Sequence, residues 1–105
     1  MISEISVDEL HNKLTKKESC QIIDVREVLE YNSVRIAGST VVPLSEFEQN
    51  IKKINFNCPS YYLCGVGKRA RRAAEYLEGL GHKNLYVIEG GIKAWLEASL
   101  PVEQG

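Results

Sequence analysis

A chain of 105 residues with 44% hydrophobic and 26% charged content can form one domain around a modest core, and no linker, repeat or low-complexity stretch divides it, so one domain is expected over residues 1–105. The balance of 13 basic against 14 acidic residues gives a formal net charge of -1, which argues against nucleic acid as a partner. Met1–Ile5 offers neither a basic n-region nor an apolar h-region, and no apolar run is long enough to span a bilayer, so no membrane contact and a cytoplasmic location are expected.

In chain order, Ser6 followed by Glu9 forms a capping-box signature ahead of Leu10 and Leu14 and predicts a short first helix. Gln21–Asp24 and Thr40–Pro43 read as buried strands. Ser45 and Glu48 repeat the capping box and predict a helix presenting Phe47 and Ile51 to the core. Ser60–Leu63 is a third apolar run. A helical pattern beginning near Ala70 follows, with Ala70, Ala73, Ala74 and Leu77 on one face and Gly79 and Gly81 available to end it. Leu85–Ile88 reads as a further strand, and residues 92–98 as a last helix after Gly90-Gly91. This alternation predicts an α/β architecture with a largely parallel central sheet, whose ligands bind beyond the carboxyl ends of the strands.

Cys64 stands at that kind of position, where the run Ser60–Leu63 gives way to Gly65-Val66-Gly67-Lys68-Arg69 and a helix. A thiolate at such a turn faces backbone N–H groups and the positive end of a helix dipole. Gly65 and Gly67 let the main chain curl around it. The plainer alternative is a buried end-of-strand cysteine before a glycine-rich connection. The charges favour the nucleophile: Lys68, Arg69, Arg71 and Arg72 crowd a helix start where the dipole prefers carboxylates, which points to an anionic ligand. Glu75 lies within helical reach of Arg71 and Arg72, leaving Lys68 and Arg69 as the better ligand candidates.

Other groups give weaker signals. Cys20 and Cys58 each precede an apolar run and read as packing residues, with a redox role left open, and an odd cysteine count without a secretory signal makes a disulfide framework unexpected. His11 and His82 show no ligand spacing, so no metal site is expected. Asp24 and Arg26 are candidates to support the site from a neighbouring strand end, with a structural ion pair or turn role as the plainer reading. Trp95 reads as packing.

Ile22–Glu27 with Glu30 and Tyr31 resembles the opening motif of the rhodanese family, Val42–Leu44 its third strand, Cys64–Arg69 its active-site loop and Glu89–Trp95 its closing signature. The match runs through nearly the whole chain in the family's order. The resemblance implies the single-domain rhodanese fold, with about five strands flanked by helices, and a thiosulfate sulfurtransferase-like enzyme in which Cys64 carries a persulfide. Gly65, Val66, Gly67, Lys68 and Arg69 would hold a small anionic sulfur donor, and cyanide or a thiol would take the sulfur. Two half-reactions through one covalent intermediate imply ping-pong kinetics without cofactor or metal.

One segment departs from the family pattern. At Val34–Ser39, where members commonly have a Gly-His-Ile-Pro-Gly-Ala type sequence, Arg35 replaces the histidine and Ala37 the proline, which bears on local rigidity or acceptor access. Two other functions compete. A cysteine phosphatase or arsenate reductase needs an arginine five residues beyond the nucleophile's neighbour to clamp an oxyanion, and Ala70 occupies that position here. A persulfide carrier or regulatory module would use the same Cys64 to serve a dedicated sulfur-relay protein partner.

Overall fold

The computed structural model describes residues 1–105. Strand β1 (Ile2–Ile5) precedes helix α1 (Val7–Thr15), which is capped as expected: the Ser6 hydroxyl accepts the Glu9 N–H at 3.1 Å while the Glu9 carboxylate reaches back to the Ser6 N–H. Strand β2 (Gln21–Asp24), helix α2 (Val28–Ser33) and the short strands β3 (Val34–Arg35) and β4 (Thr40–Val41) follow. A 3₁₀ turn at Leu44–Glu46, helix α3 (Phe47–Asn50) and a second 3₁₀ turn at Ile51–Lys53 lead to β5 (Ser60–Leu63). Helix α4 (Lys68–Gly79), strand β6 (Leu85–Ile88), helix α5 (Gly91–Glu97) and strand β7 (Glu103–Gln104) complete the chain.

Five strands form one parallel sheet in the order β1-β6-β5-β2-β4. The two-residue strands β3 and β7 pair separately and antiparallel. Alternation along the central strand β5 divides its side chains between two apolar layers. Tyr62 and Cys64 pack with Ile23, Val25 and the alanine face of α4, whereas Tyr61 and Leu63 pack with Leu10, Ile92 and Trp95 under α1 and α5. Small alanines at 70, 73 and 74, all fully buried, let α4 lie close to the sheet and so bring its amino end beside the carboxyl end of β5. No helix is long and apolar enough to cross a membrane.

Three local expectations need correction. Ser45 does not cap a helix; its hydroxyl donates to Glu27 Oε1 at 2.8 Å, and the segment starts as a 3₁₀ turn behind Pro43. Helix α4 begins at Lys68, two residues ahead of the alanine pattern, because Gly67 adopts φ +116° and turns the chain into the helix at that point. Glu75 pairs with neither arginine; Arg71 instead reaches Glu4 on β1 at 3.1 Å.

Ser60 and Tyr62 bring buried hydroxyls into the α4-side layer, close enough to influence each other, but neither makes a well-formed hydrogen bond to the protein. Burial pushes the Tyr62 phenol up to about 12. Because the hydroxyl forfeits hydration without a protein bond, Tyr62→Phe is expected to leave stability unchanged or raise it by about 1 kcal/mol in urea unfolding. A loss above about 1 kcal/mol would mean that an internal water satisfies the phenol.

Candidate active site

Cys64 follows directly on β5, and its side chain is 1% exposed. Its Sγ accepts the Gly67 N–H at 3.0 Å and the Ala70 N–H at 3.3 Å, so the first turn of α4 closes over the sulfur. The backbone N–H groups of Gly65, Val66, Lys68 and Arg69 meet no acceptor within the protein. A short loop in which two N–H groups already donate to one sulfur and four more lack an acceptor is suited to a second anionic atom placed on that sulfur.

The loop is held from behind by the start of α5. The Ile92 N–H donates to the Cys64 carbonyl at 2.8 Å and the Lys93 N–H to the Gly65 carbonyl at 3.2 Å. Gly91, at φ +59°, lies so close beneath the loop that a Cβ there would overlap the carbonyl oxygens of Cys64 and Gly65. The Gly90-Gly91 pair, read from sequence as the lead-in to the last helix and part of the closing signature, is therefore the seat of the nucleophile loop. Two successive glycines outside a simple turn were the available signal.

The two basic loop residues differ. Lys68 is exposed and makes no ion pair. Arg69 is not equally available: it forms a bidentate pair with Glu30 on α2, at 2.8 and 3.0 Å, and its guanidinium lies across Gly65. Glu30 also accepts the Glu27 N–H at 3.0 Å. Glu30 thus ties α2 to the loop, a role that spacing alone could not reveal, since the partners are 39 residues apart. Hydrogen bonds from Arg69, helped by that N–H, hold the Glu30 carboxyl down at about 2.

The sign of that shift sets a pH window. A depressed carboxyl stabilises the fold above the ordinary value of 4.5 and loses its contribution as pH falls toward 2. With the side chains 35% and 42% exposed, the pair contributes about 1 kcal/mol or less after solvent screening. Urea unfolding across this range is expected to show Glu30→Gln flattening the acid limb of the stability curve. Parallel curves for the two proteins would contradict it.

Asp24 and Arg26 form the structural pair that the plainer reading anticipated. Both are buried, at 0% and 3% exposure, and Arg26 donates to the Asp24 carboxylate through Nε and Nη2, the latter at 2.7 Å. The Asp24 Oδ1 also accepts the Arg26 N–H, and Nη2 reaches the Val34 carbonyl. The pair therefore shapes the exit of β2 beside β5.

The remaining sequence candidates lie away from the sulfur. Cys20 and Cys58 are half-buried near the amino ends of β2 and β5, with Cys58 near the Gln21 amide at 3.6 Å, whereas Cys64 follows the opposite, carboxyl end of β5. Burial, with Cys58 nearby, pushes the Cys20 thiol up. Trp95 is 1% exposed and donates its indole N–H to the Pro101 carbonyl. Arg35 lies over the Tyr31 ring and pairs with Glu103 at 3.4 Å, so the departure from the family pattern fastens β3 to β7. Ala70, at the phosphatase arginine position, turns its methyl into the core and offers no oxyanion clamp.

Comparison with known proteins agrees with this geometry. A family model described as a rhodanese-like domain matches residues 6–98. A rhodanese-related protein from Thermoplasma volcanium superposes with a TM-score of 0.87 at 31% identity, covering 96% of this chain and 97% of that one. A rhodanese-like domain protein from Staphylococcus aureus gives 0.80 at 35% identity, over 89% and 90%. Among relatives, YrkF of Bacillus subtilis, provisionally named a sulfur carrier protein, is 34% identical over 90% of this chain and 51% of its own. The thiosulfate sulfurtransferase GlpE of Pseudomonas putida is 28% identical over 87% of this chain and 82% of its own. The chain thus spans about half the length of YrkF and most of GlpE. With the parallel five-stranded sheet and a cysteine loop at its carboxyl edge, these matches lead to one conclusion: the chain belongs to the rhodanese-like domain family.

Proposed function

We propose that residues 1–105 form one rhodanese domain that transfers sulfane sulfur by a ping-pong route through a Cys64 persulfide. The observation that carries this reading is the set of N–H groups around Sγ: two already donate to it, and four more in the same loop have no acceptor. In the first half-reaction the Cys64 thiolate bonds to the outer sulfur of thiosulfate, the donor's S–S bond breaks, and sulfite leaves with the electron pair. The new outer sulfur rests among the N–H groups of Gly65 through Arg69, which stabilise its charge as an oxyanion hole does. In the second, cyanide or a thiolate bonds to that outer sulfur and the electron pair returns to Cys64. Lys68 raises the local potential for the anionic donor. These steps balance without cofactor or metal.

The test is thiocyanate formation from thiosulfate and cyanide. Parallel double-reciprocal plots, with turnover reduced at least 1,000-fold by Cys64→Ser, are expected. Intersecting plots, or activity that survives the substitution, would overturn the mechanism. A second reading is favoured by the near-complete burial of Cys64 and by the name of YrkF: the persulfide passes to one protein partner on a sulfur relay. It predicts slow cyanide turnover beside fast transfer to a protein thiol.

A further inference from the structure

Arg69 has a second edge that Glu30 does not use. A guanidinium presents its N–H donors as two forks, one between Nη1 and Nη2 and one between Nε and Nη2. Arg26 turns its Nε and Nη2 fork onto Asp24, whereas Arg69 turns its Nη1 and Nη2 fork onto Glu30, at 2.8 and 3.0 Å, and its guanidinium makes no other hydrogen bond. The Nε and Nη2 fork of Arg69 is therefore free. Nη2, the nitrogen common to both forks, passes 3.2 Å from the position a Cβ would take on Gly65, so this end of the guanidinium lies at the rim of the nucleophile loop.

Both ends of this arginine are fixed. Its backbone stands between Gly67 and Ala70, whose N–H groups donate to Sγ at 3.0 and 3.3 Å. Its head is gripped by a carboxylate that is itself held, because Glu30 Oε2 also accepts the Glu27 N–H at 3.0 Å at the start of α2. A chain of fixed groups thus runs from α2 through Glu30 to the rim of the loop. The pairing has an electrostatic cost, since Glu30 cancels much of the long-range attraction of Arg69 for an anion. A loop arranged only to attract anions would leave Arg69 unpaired, as it leaves Lys68. What the pairing preserves is direction: the free fork can donate to two coplanar oxygens in one orientation.

We propose that Glu30 is a positioning residue that holds the free fork of Arg69 toward two oxygens of the sulfur donor, and so selects donors whose outer sulfur is bonded to an oxygen-bearing sulfur over persulfides that carry no such oxygens. The proposal rests on the Cys64 persulfide reading above. The Cys64 thiolate bonds to the donor's outer sulfur, the donor's S–S bond breaks, and the electron pair leaves with sulfite from thiosulfate or with a sulfinate from a thiosulfonate. Negative charge grows on the oxygens that the fork holds, so the contact strengthens in the transition state. A glutathione persulfide donor releases a thiolate instead and offers the fork no pair of oxygens on its sulfur. Discharge by cyanide, which follows the departure of sulfite, does not use the fork.

The experiment measures persulfide formation on the reduced protein in single turnovers with thiosulfate, methanethiosulfonate and glutathione persulfide as donors, and discharge of the loaded protein by cyanide. Glu30→Gln leaves one accepting oxygen in place of two. It is expected to lower the rate constants for thiosulfate and methanethiosulfonate about tenfold, while those for glutathione persulfide and for discharge change by less than about threefold. A rise with thiosulfate, which loss of a negative charge near a dianion gives by itself, overturns the proposal. So does an equal fall with all three donors, which a merely structural role gives. Arg69→Lys keeps the charge and loses the fork, so the same selective loss is expected, and Glu30→Gln should add nothing to it in the double variant. Additive losses would show Glu30 acting by another route and overturn the proposal. A separate arm titrates the reduced protein with methanesulfonate, which transfers no sulfur, and follows the Arg69 Nε–H resonance. A shift in the parent protein that needs about tenfold more ligand in Glu30→Gln is expected, and no shift at tens of millimolar ligand overturns the fork whether or not sulfur transfer occurs. If thiosulfate leaves no sulfur on Cys64, it is the underlying persulfide reading that fails, and the titration still decides the role of Glu30.

Discussion

Gly91→Ala is expected to damage the nucleophile loop more than any other substitution outside it. An alanine at φ +59° costs about 1–2 kcal/mol in backbone conformation alone. Its Cβ also meets the carbonyl oxygens of Cys64 and Gly65, which are backbone atoms and cannot rotate away. Relief requires the loop to rise from α5, stretching the hydrogen bonds from Ile92 and Lys93, so a total loss of about 2–5 kcal/mol is expected. A displacement of about 1 Å at a reacting atom commonly costs on the order of 100-fold in rate. Thiosulfate turnover by the folded variant should fall by that order. Gly79→Ala is the control: it lies within α4 with nothing within 4 Å of the added methyl, and should be neutral or stabilising by up to about 1 kcal/mol. Equal behaviour of the two variants in urea unfolding and turnover would contradict the assigned role of Gly91.

Breaking the buried ion pair by Arg26→Met should produce the second large effect. The substitution leaves the Asp24 carboxylate at 0% exposure with the Arg26 N–H as its remaining protein donor and deprives the Val34 carbonyl of its guanidinium. Leaving one partner of a buried pair uncompensated costs about 3–5 kcal/mol, a large part of the roughly 5–15 kcal/mol that holds a domain of this size together. Removing the charge on both sides should restore much of it, because the desolvation cost disappears with the attraction. Urea unfolding of Arg26→Met, Asp24→Asn and the double variant checks this. The double variant is expected to lose less than Arg26→Met alone; simple addition of the two losses would show that the residues act separately.

The elements that could be read from sequence are those whose signal is local. The run Ser60–Leu63, the alanine face of α4 and the Ser6–Glu9 capping box each declare themselves within a few residues, and the nucleophile follows from its place between strand and helix. Strand β1 was not among the expected elements because Ser3 and Glu4 are exposed on a sheet edge, which dilutes the apolar pattern. Helix α2 carries no buried residue and so offers no hydrophobic periodicity. The Ser45–Glu48 signature failed for a different reason: Ser45 found a long-range partner in Glu27. The same limit governs the site. Lys68 and Arg69 look alike in sequence, and only folding brings Glu30 to one of them. The support given by Gly91 is likewise invisible until α5 is placed under the loop.

The most direct test of the central claim is the intact mass of the reduced protein before and after thiosulfate, in parallel with Cys64→Ser, followed by addition of cyanide. The loop geometry predicts a gain of one sulfur atom on the parent protein alone, located to Cys64 by peptide mapping and removed by cyanide. A protein that gains no sulfur after full reduction, or that gains it equally with serine at position 64, would contradict the assignment of Cys64 as a persulfide carrier for thiosulfate.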